Sequence, residues 1–87
     1  MDVSYDLYVR HEVYHALRSL SRSHREVMLS FIESLPANPF RAGDFTETDQ
    51  AGRPCQVILL GKYALYFWAD HAAKEIRVID LIDADRT

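Results

Sequence analysis

Cysteine is almost absent from this sequence, and its scarcity limits both covalent and metal chemistry. The 87 residues include one cysteine, Cys55, which cannot close an internal disulfide and falls far short of a metal-ligand set. Cys55 opens an apolar segment, where a small buried strand residue is expected. His11 and His15 have the spacing of two metal ligands on one helix face, but no third ligand accompanies them. We therefore expect no metal and no cofactor.

The sequence also lacks long apolar runs and an excess of basic charge. No window approaches the roughly 18 uninterrupted apolar residues that span a bilayer, and residues 1–6 have neither the basic nor the apolar region of a signal peptide. The expected compartment is the cytoplasm. Ten Lys and Arg stand against 13 Asp and Glu, a net charge of −3. Nucleic-acid binders usually carry a net basic domain or stripe, so only a local basic patch remains compatible with nucleic-acid binding.

Proline and glycine are scarce, with three of each, and they mark boundaries. Pro36 is predicted to end a helix and Pro39 to prevent its restart. Gly52 and Gly61 fall in turns, and Pro54 fits only the first or an edge position of a strand. A hydrophobic fraction of 48% is typical of a compact globular chain. This length leaves room for one core, so residues 1–87 are predicted to form a single domain.

The segment from Gly52 to Asp85 contains the longest apolar runs. They are rich in β-branched and aromatic residues and cover residues 57–60, 64–69 and 76–82. The connections between them are too short for a parallel crossover, so neighbouring strands must be antiparallel. The middle strand, about Lys62 to Ala69, is predicted to be buried on both faces. Trp68 is therefore expected in the core.

The N-terminal half changes its apolar period from that of a strand to that of a helix. Residues 5–9 alternate as a first strand. Apolar residues then recur at helical spacing in two stretches, 13–20 and 27–35, and Ser23 with Glu26 fits a capping box for the second helix. Residues 44–49 alternate like an exposed strand. The sequence predicts an α+β fold in two layers: an N-terminal strand, a helical hairpin, then a four-stranded antiparallel meander.

This order of elements resembles the RelE/ParE superfamily, the toxins of bacterial type II toxin–antitoxin modules. The likeness covers nearly the whole chain. It is carried by Leu-Pro-Ala-Asn-Pro-Phe at 35–40 and Gly-Lys-Tyr-Ala-Leu-Tyr-Phe at 61–67, and it continues through Asp70 and residues 76–79. No single motif is specific, but the ordered combination is. The resemblance implies a RelE-like two-layer fold, no association with membranes, and a cognate antitoxin with which the chain forms a hetero-oligomer.

The resemblance also implies an activity. RelE-like members are mRNA endonucleases that cut on the ribosome without a metal and so inhibit translation. Such cleavage needs a base for the 2′ proton, a cation for the charge on the phosphorane and an acid for the leaving 5′ oxygen. Glu47 or Asp49 is a candidate base, and Tyr63 or His71 a candidate acid. The candidate cations are Arg53, Lys62 and Arg86.

Departures from the family pattern keep other functions open. Tyr63 stands where the family has an arginine, with Lys62 before it. The C-terminal position, usually Arg, His or Tyr, falls near Asp83 to Arg86. One alternative is a non-catalytic, ParE-like poison of DNA gyrase, and another is a catalytically degenerate binding module of the same fold. The predicted site residues are Glu47, Arg53, Lys62, Tyr63, Asp83 and Arg86.

Overall fold

The chain folds as a five-stranded sheet with two helices packed on one face. The computed structural model describes residues 4–83. The elements are β1 (Asp6–Val9), α1 (His11–Arg18), α2 (Arg22–Ser34), a short 3-10 helix (Leu35–Ala37), β2 (Phe45–Thr48), β3 (Pro54–Leu60), β4 (Tyr63–Asp70) and β5 (Glu75–Asp83). The predicted α+β class and the order of the elements are confirmed. No helix within this part of the chain is long and apolar enough to span a membrane.

The sheet has the strand order β1-β5-β4-β3-β2. Strands β2 to β5 form the predicted antiparallel meander, and β1 adds to β5 in parallel. The pairing of β4 with β5 is irregular, because Tyr66 faces Asp80 while the next residue, Phe67, faces Val78. Ile79 is thus an extra residue, and this bulge shifts the alternation of β5. Across the bulge, side chains three positions apart, such as Arg77 and Asp80, therefore point to the same face.

The helices cover the sheet through one apolar core. Its buried members are Tyr5, Val13, Leu17, Leu20, Met28, Ile32, Leu35, Ile58, Leu65, Phe67, Ile76, Val78 and Leu81. Arg25 of α2 also links the two helices, because its side chain donates hydrogen bonds to the carbonyls of Leu17 at 3.1 Å and Leu20 at 3.0 Å. The Leu17 carbonyl also accepts a hydrogen bond from the backbone N–H of Leu20 at 3.2 Å. The side chain of Arg25 thus ties α2 to the end of α1.

The second helix begins earlier than the sequence predicts. Its N-cap is Ser21, whose hydroxyl accepts a hydrogen bond from the backbone N–H of His24 at 3.4 Å. The predicted capping box of Ser23 and Glu26 is wrong, because Ser23 already lies inside the first turn. The carboxylate of Glu26 pairs instead with Arg22 at 3.2 Å.

Two predictions about burial are also wrong. Val27, placed by its spacing on the apolar stripe of α2, is 60% exposed, because the buried face of that helix is centred on Met28. Strand β4 is not buried on both faces. Its residues Leu65 and Phe67 face the helices and are buried, whereas Trp68 points away from them and is only partly buried. Trp68 is therefore not a core residue.

Candidate active site

The sheet face turned away from the helices, called the open face, carries a groove of about 900 Å³. We call it the sheet groove. The pairing of β4 with β5 places four side chains on its floor, because Tyr66 and Trp68 of β4 lie opposite Asp80 and Arg77 of β5. The end of β1 and the turn between β2 and β3, residues 47–53, line its sides. The groove is thus lined by residues of all five strands and their connections, and most of its polar and aromatic side chains come from β1, β2, β4, β5 and the turn before β3.

Glu47 and Tyr66 both line the sheet groove, and the charge of Glu47 acts on the Tyr66 phenol. Glu47 is an exposed residue of β2, opposite Cys55. Burial raises the pKa of the Tyr66 phenol above its ordinary value, and the charge of Glu47 raises that pKa further. The phenol therefore stays protonated at neutral pH. The groove holds a proton acceptor and a proton donor on one surface.

Arg53 lies over the indole ring of Trp68, with its guanidinium carbon 4.3 Å from the ring centroid. The turn before β3 positions it. The Oδ1 atom of Asp49 accepts hydrogen bonds from the backbone N–H groups of Ala51 at 2.9 Å and Arg53 at 2.8 Å, and Gly52 adopts the left-handed conformation that the turn requires. Asp49, an alternative candidate base, is thus used to build the turn that holds Arg53.

Arg77 supplies a second guanidinium. It lies on β5 opposite Trp68, its Nη2 atom is 2.6 Å from Oε1 of Glu75, and its guanidinium carbon is 5.1 Å from the ring centroid of Tyr8. The site residues predicted from the sequence did not include Arg77, Tyr66, Tyr8 or Trp68. The sequence did offer a sign for Arg77, because a charged residue between the apolar residues Ile76 and Val78 is unusual unless it faces an open surface.

The charges of the sheet groove are balanced. Its lining includes three positive side chains and three negative ones: Arg10, Arg53, Arg77, Glu47, Asp49 and Asp80. Cys55 also borders it but is only 2% exposed. Burial, followed by the charges of Asp49 and Glu47, raises the pKa of its thiol. Cys55 is therefore a protonated, buried strand residue, as predicted, and not a nucleophile.

Three other predicted site residues lie at the opposite end of β4. The Nζ atom of Lys62 is 3.6 Å from Oδ2 of Asp83, and Tyr63 pairs with Asp83 in the sheet register. The ring of Tyr63 packs toward the helices, edge to face with His24 at 5.6 Å. Five strand positions separate Tyr63 from Trp68, roughly 16 Å. The structure therefore brings Glu47 and Arg53 together but leaves Lys62, Tyr63 and Asp83 apart from them.

The remaining candidates are also outside the sheet groove. Arg86 lies outside the described residues. His71 accepts or donates a hydrogen bond at 2.8 Å between its Nδ1 atom and the Tyr5 hydroxyl, and the ring of Phe40 stacks on it at 4.3 Å. It joins the turn after β4 to the loop after α2. His11 and His15 contact each other on exposed α1, with their Nε2 atoms 2.9 Å apart.

Comparison with known proteins gives matches by structure and none by sequence. No protein-family model and no curated protein matches the chain. The archaeal RelE–RelB complex from Pyrococcus horikoshii matches with a TM-score of 0.78 and 20% identity, over 98% of this chain and 100% of that chain. The toxin–antitoxin complex RelBE2 from Mycobacterium tuberculosis matches with a TM-score of 0.72 and 14% identity, over 93% of this chain and 99% of that chain.

The isolated RelE toxin of Escherichia coli matches as well, with a TM-score of 0.68 and 21% identity, over 97% of this chain and 88% of that chain. Each match extends over nearly the whole chain, although few residues are identical. The likeness inferred from the order of strands and helices is thus confirmed at the level of the fold. This protein has the fold of RelE.

Proposed function

We propose that this chain is the toxin of a type II toxin–antitoxin pair, and that it inhibits translation in the cytoplasm by cutting mRNA on the ribosome without a metal. The RelE fold supports the first part. One observation carries the second: the sheet groove holds a carboxylate, a protonated phenol and two guanidinium groups on one open surface. These are the groups that cleavage of RNA through its own 2′-hydroxyl requires.

The proposed reaction uses these groups in turn. The carboxylate of Glu47 takes the proton of the 2′-hydroxyl, whose oxygen attacks the adjacent phosphorus. Arg53 and Arg77 stabilise the extra negative charge of the phosphorane. Tyr66 gives its phenolic proton to the leaving 5′ oxygen, which yields a 2′,3′-cyclic phosphate and a 5′-hydroxyl. The proton on the carboxyl of Glu47 then returns to the phenolate of Tyr66, which lines the same groove, and restores the site.

The proposed partner is an antitoxin that forms a hetero-oligomer with this chain. RelE of Pyrococcus horikoshii was crystallised in complex with RelB. The open face of the present chain also exposes large apolar side chains beyond the groove: Leu59 is 47%, Phe45 43% and Ile82 41% exposed. Leu59 and Ile82 lie on either side of Ala64 in the sheet register. Such a contiguous apolar surface favours a protein partner.

The cleavage is tested with purified protein, ribosomes and a defined mRNA. Glu47→Gln removes the base while conserving shape, so cleavage should fall at least about 100-fold. Glu33→Gln makes the same change on an exposed residue of α2 and should cut at the wild-type rate. Unchanged cleavage by Glu47→Gln would contradict the assigned base. A wild-type protein that leaves the mRNA intact would contradict the nuclease.

The charge balance of the sheet groove favours a second candidate function. A surface with as many carboxylates as guanidiniums suits a protein target better than a polyanion, which is compatible with a gyrase poison. Purified chain would then cause gyrase-dependent breaks in DNA and leave mRNA intact. A chain that does neither, but binds its antitoxin, would be the catalytically degenerate binding module.

A further inference from the structure

Four side chains on the open face form a row in which guanidinium and aromatic groups alternate. Arg53 lies 4.3 Å above the ring of Trp68, Trp68 is opposite Arg77 in the sheet, and Arg77 is both opposite Tyr8 and 5.1 Å from its ring. The row begins just before β3 and crosses β4 and β5 to reach β1. We call it the arginine–aromatic track.

We propose that the arginine–aromatic track binds single-stranded RNA directly, so that the chain holds RNA even without a ribosome. The choice of RNA as the ligand rests on the proposed function. In this arrangement bases stack on Trp68 and Tyr8, and phosphates pair with Arg53 and Arg77. Aromatic platforms alternating with cations are how sequence-tolerant proteins hold a single strand, because every base has a π-face.

The dimensions of the sheet fit such a ligand. Neighbouring strands are about 4.8 Å apart, so Trp68 on β4 and Tyr8 on β1, with β5 between them, are separated by roughly 10 Å. That distance leaves room for a phosphate and the guanidinium of Arg77 between two stacked bases. Tyr8 is 46% exposed, so its ring is already open to a ligand.

The two arginines are not equally free to bind a phosphate. Arg77 pairs with Glu75 at 2.6 Å, whereas within residues 4–83 the guanidinium of Arg53 has no carboxylate in salt-bridge contact and lies only against Trp68. Arginine is well suited to both tasks, because its planar group stacks on rings and pairs with phosphate oxygens. Arg53 is therefore expected to contribute more to binding than Arg77.

Trp68 has a feature that a core tryptophan ordinarily lacks. Its indole N–H is buried and has no hydrogen-bond partner in the described part of the chain, although buried polar groups are nearly always paired. The ring is covered on one side by Arg53 rather than by apolar side chains. A base that enters between guanidinium and indole would stack on both, and small shifts there would bring an acceptor to the N–H.

The sequence provides a direct probe of this site, because Trp68 is the only tryptophan. Wild-type protein is titrated at low salt with a short single-stranded RNA whose 2′ oxygens are methylated, so that it cannot be cut. We expect saturable quenching of the Trp68 fluorescence at the concentrations where the anisotropy of a labelled copy rises. Binding by anisotropy without a change at Trp68 would locate the RNA elsewhere and overturn the proposal.

Variants test the contribution of each group. Trp68→Leu, followed by anisotropy, should weaken binding about tenfold, as loss of one stacked base predicts. Arg53→Ala should weaken binding by a similar factor and reduce the slope of log affinity against log salt by about 0.7. Arg53→Lys keeps the charge and loses the planar stack, so it should restore the slope but only part of the affinity.

Arg41→Ala is the matched control. Its guanidinium carbon is 4.8 Å from the ring centroid of Phe31, so it also stacks on an aromatic residue, but on the helical side of the protein. We expect its RNA affinity to equal that of the wild type. An equal loss in Arg41→Ala and Arg53→Ala would show that charge alone attracts the RNA, and would overturn the track. Circular dichroism of every variant excludes unfolding as the cause.

Failure of this inference can be told apart from failure of the proposed function. Quenching of Trp68 by free RNA, in a protein that leaves ribosomal mRNA intact, would support the track and contradict the nuclease. Cleavage of mRNA on the ribosome, with no response of Trp68 to free RNA, would support the nuclease and contradict the track. If wild type binds no RNA, and Arg53→Ala and Trp68→Leu weaken capture of the antitoxin, the row contacts a protein partner and the RNA proposal is overturned.

Discussion

The two faces of strand β4 are alike in hydrophobicity but lie in different environments. Leu65 and Phe67 point toward the helices and are 0% and 3% exposed. Tyr66 and Trp68 point to the open face, are only partly buried, and contact Glu47 and Arg53. The two pairs of side chains differ in polarity, because Tyr and Trp each carry a hydrogen-bonding group that Leu and Phe lack. An apolar strand can therefore build the core with one face and a binding surface with the other.

The largest effect is expected on the helix-facing side. Phe67→Ala removes a ring from the closed core and should lower the free energy of unfolding by about 3–5 kcal/mol, a large share of the stability of a small domain. Urea denaturation followed by circular dichroism measures it. A loss below about 1 kcal/mol would show that this face is not the core and would break the comparison.

A smaller effect is expected one residue further along. Trp68→Ala should lower the free energy of unfolding by about 1–2 kcal/mol, since its ring is partly exposed and is covered mainly by one guanidinium. The same urea experiment measures it beside Phe67→Ala. If the two variants lost equal stability, Trp68 would belong to the core, as the sequence alone predicted.

Tyr66 should make the stability depend on alkaline pH. Its pKa is raised in the folded chain by burial and by Glu47, so the folded protein retains a proton that the unfolded chain loses. The stabilisation is fully present below the ordinary tyrosine pKa and is lost as the pH rises through the raised value. Unfolding free energies measured across that range should fall less steeply for Tyr66→Phe. Identical slopes would mean that the pKa of Tyr66 is not raised in the folded chain.

The smallest effect is expected at Leu59, on the open face of β3. Leu59→Gln should change the free energy of unfolding by no more than about 0.5 kcal/mol, because this side chain is 47% exposed. Its neighbour Ile58 is 8% exposed and belongs to the core. Ile58→Gln would bury an amide there, so it should lower the free energy of unfolding by at least about 2 kcal/mol. If Leu59→Gln is stable yet binds the antitoxin more weakly, the apolar part of the open face is the partner surface.

Much of the fold could be predicted because it depends on local spacing. The alternation of residues 5–9, the helical stripes and the position of Pro54 at the start of β3 all fix elements by contacts within a few residues. Local spacing has limits, however. Ser21 and Ser23 are both plausible caps, and the choice between them depends on which residues of α2 the sheet buries. That information is not in the helix itself.

The site was less predictable because it depends on pairing between strands. Glu47 and Arg53, both predicted as site residues, line the same groove, since they flank one short turn. Lys62 and Tyr63 were grouped with them, but lie at the far end of β4. Arg77 was missed because its partners, Trp68 and Tyr8, come from distant parts of the sequence. The bulge at Ile79 adds a shift of alternation that no periodic pattern indicates.

The position of β1 has a consequence for how the protein is made. This strand is synthesised before the other elements, yet its neighbour in the sheet is β5, the last strand of the described residues. Contacts between such distant segments form late, because a long loop must close first. Tyr8 can join Trp68 and Arg77 only after β5 has emerged from the ribosome. A nascent chain without β5 would therefore lack a complete arginine–aromatic track, however well its helices had formed.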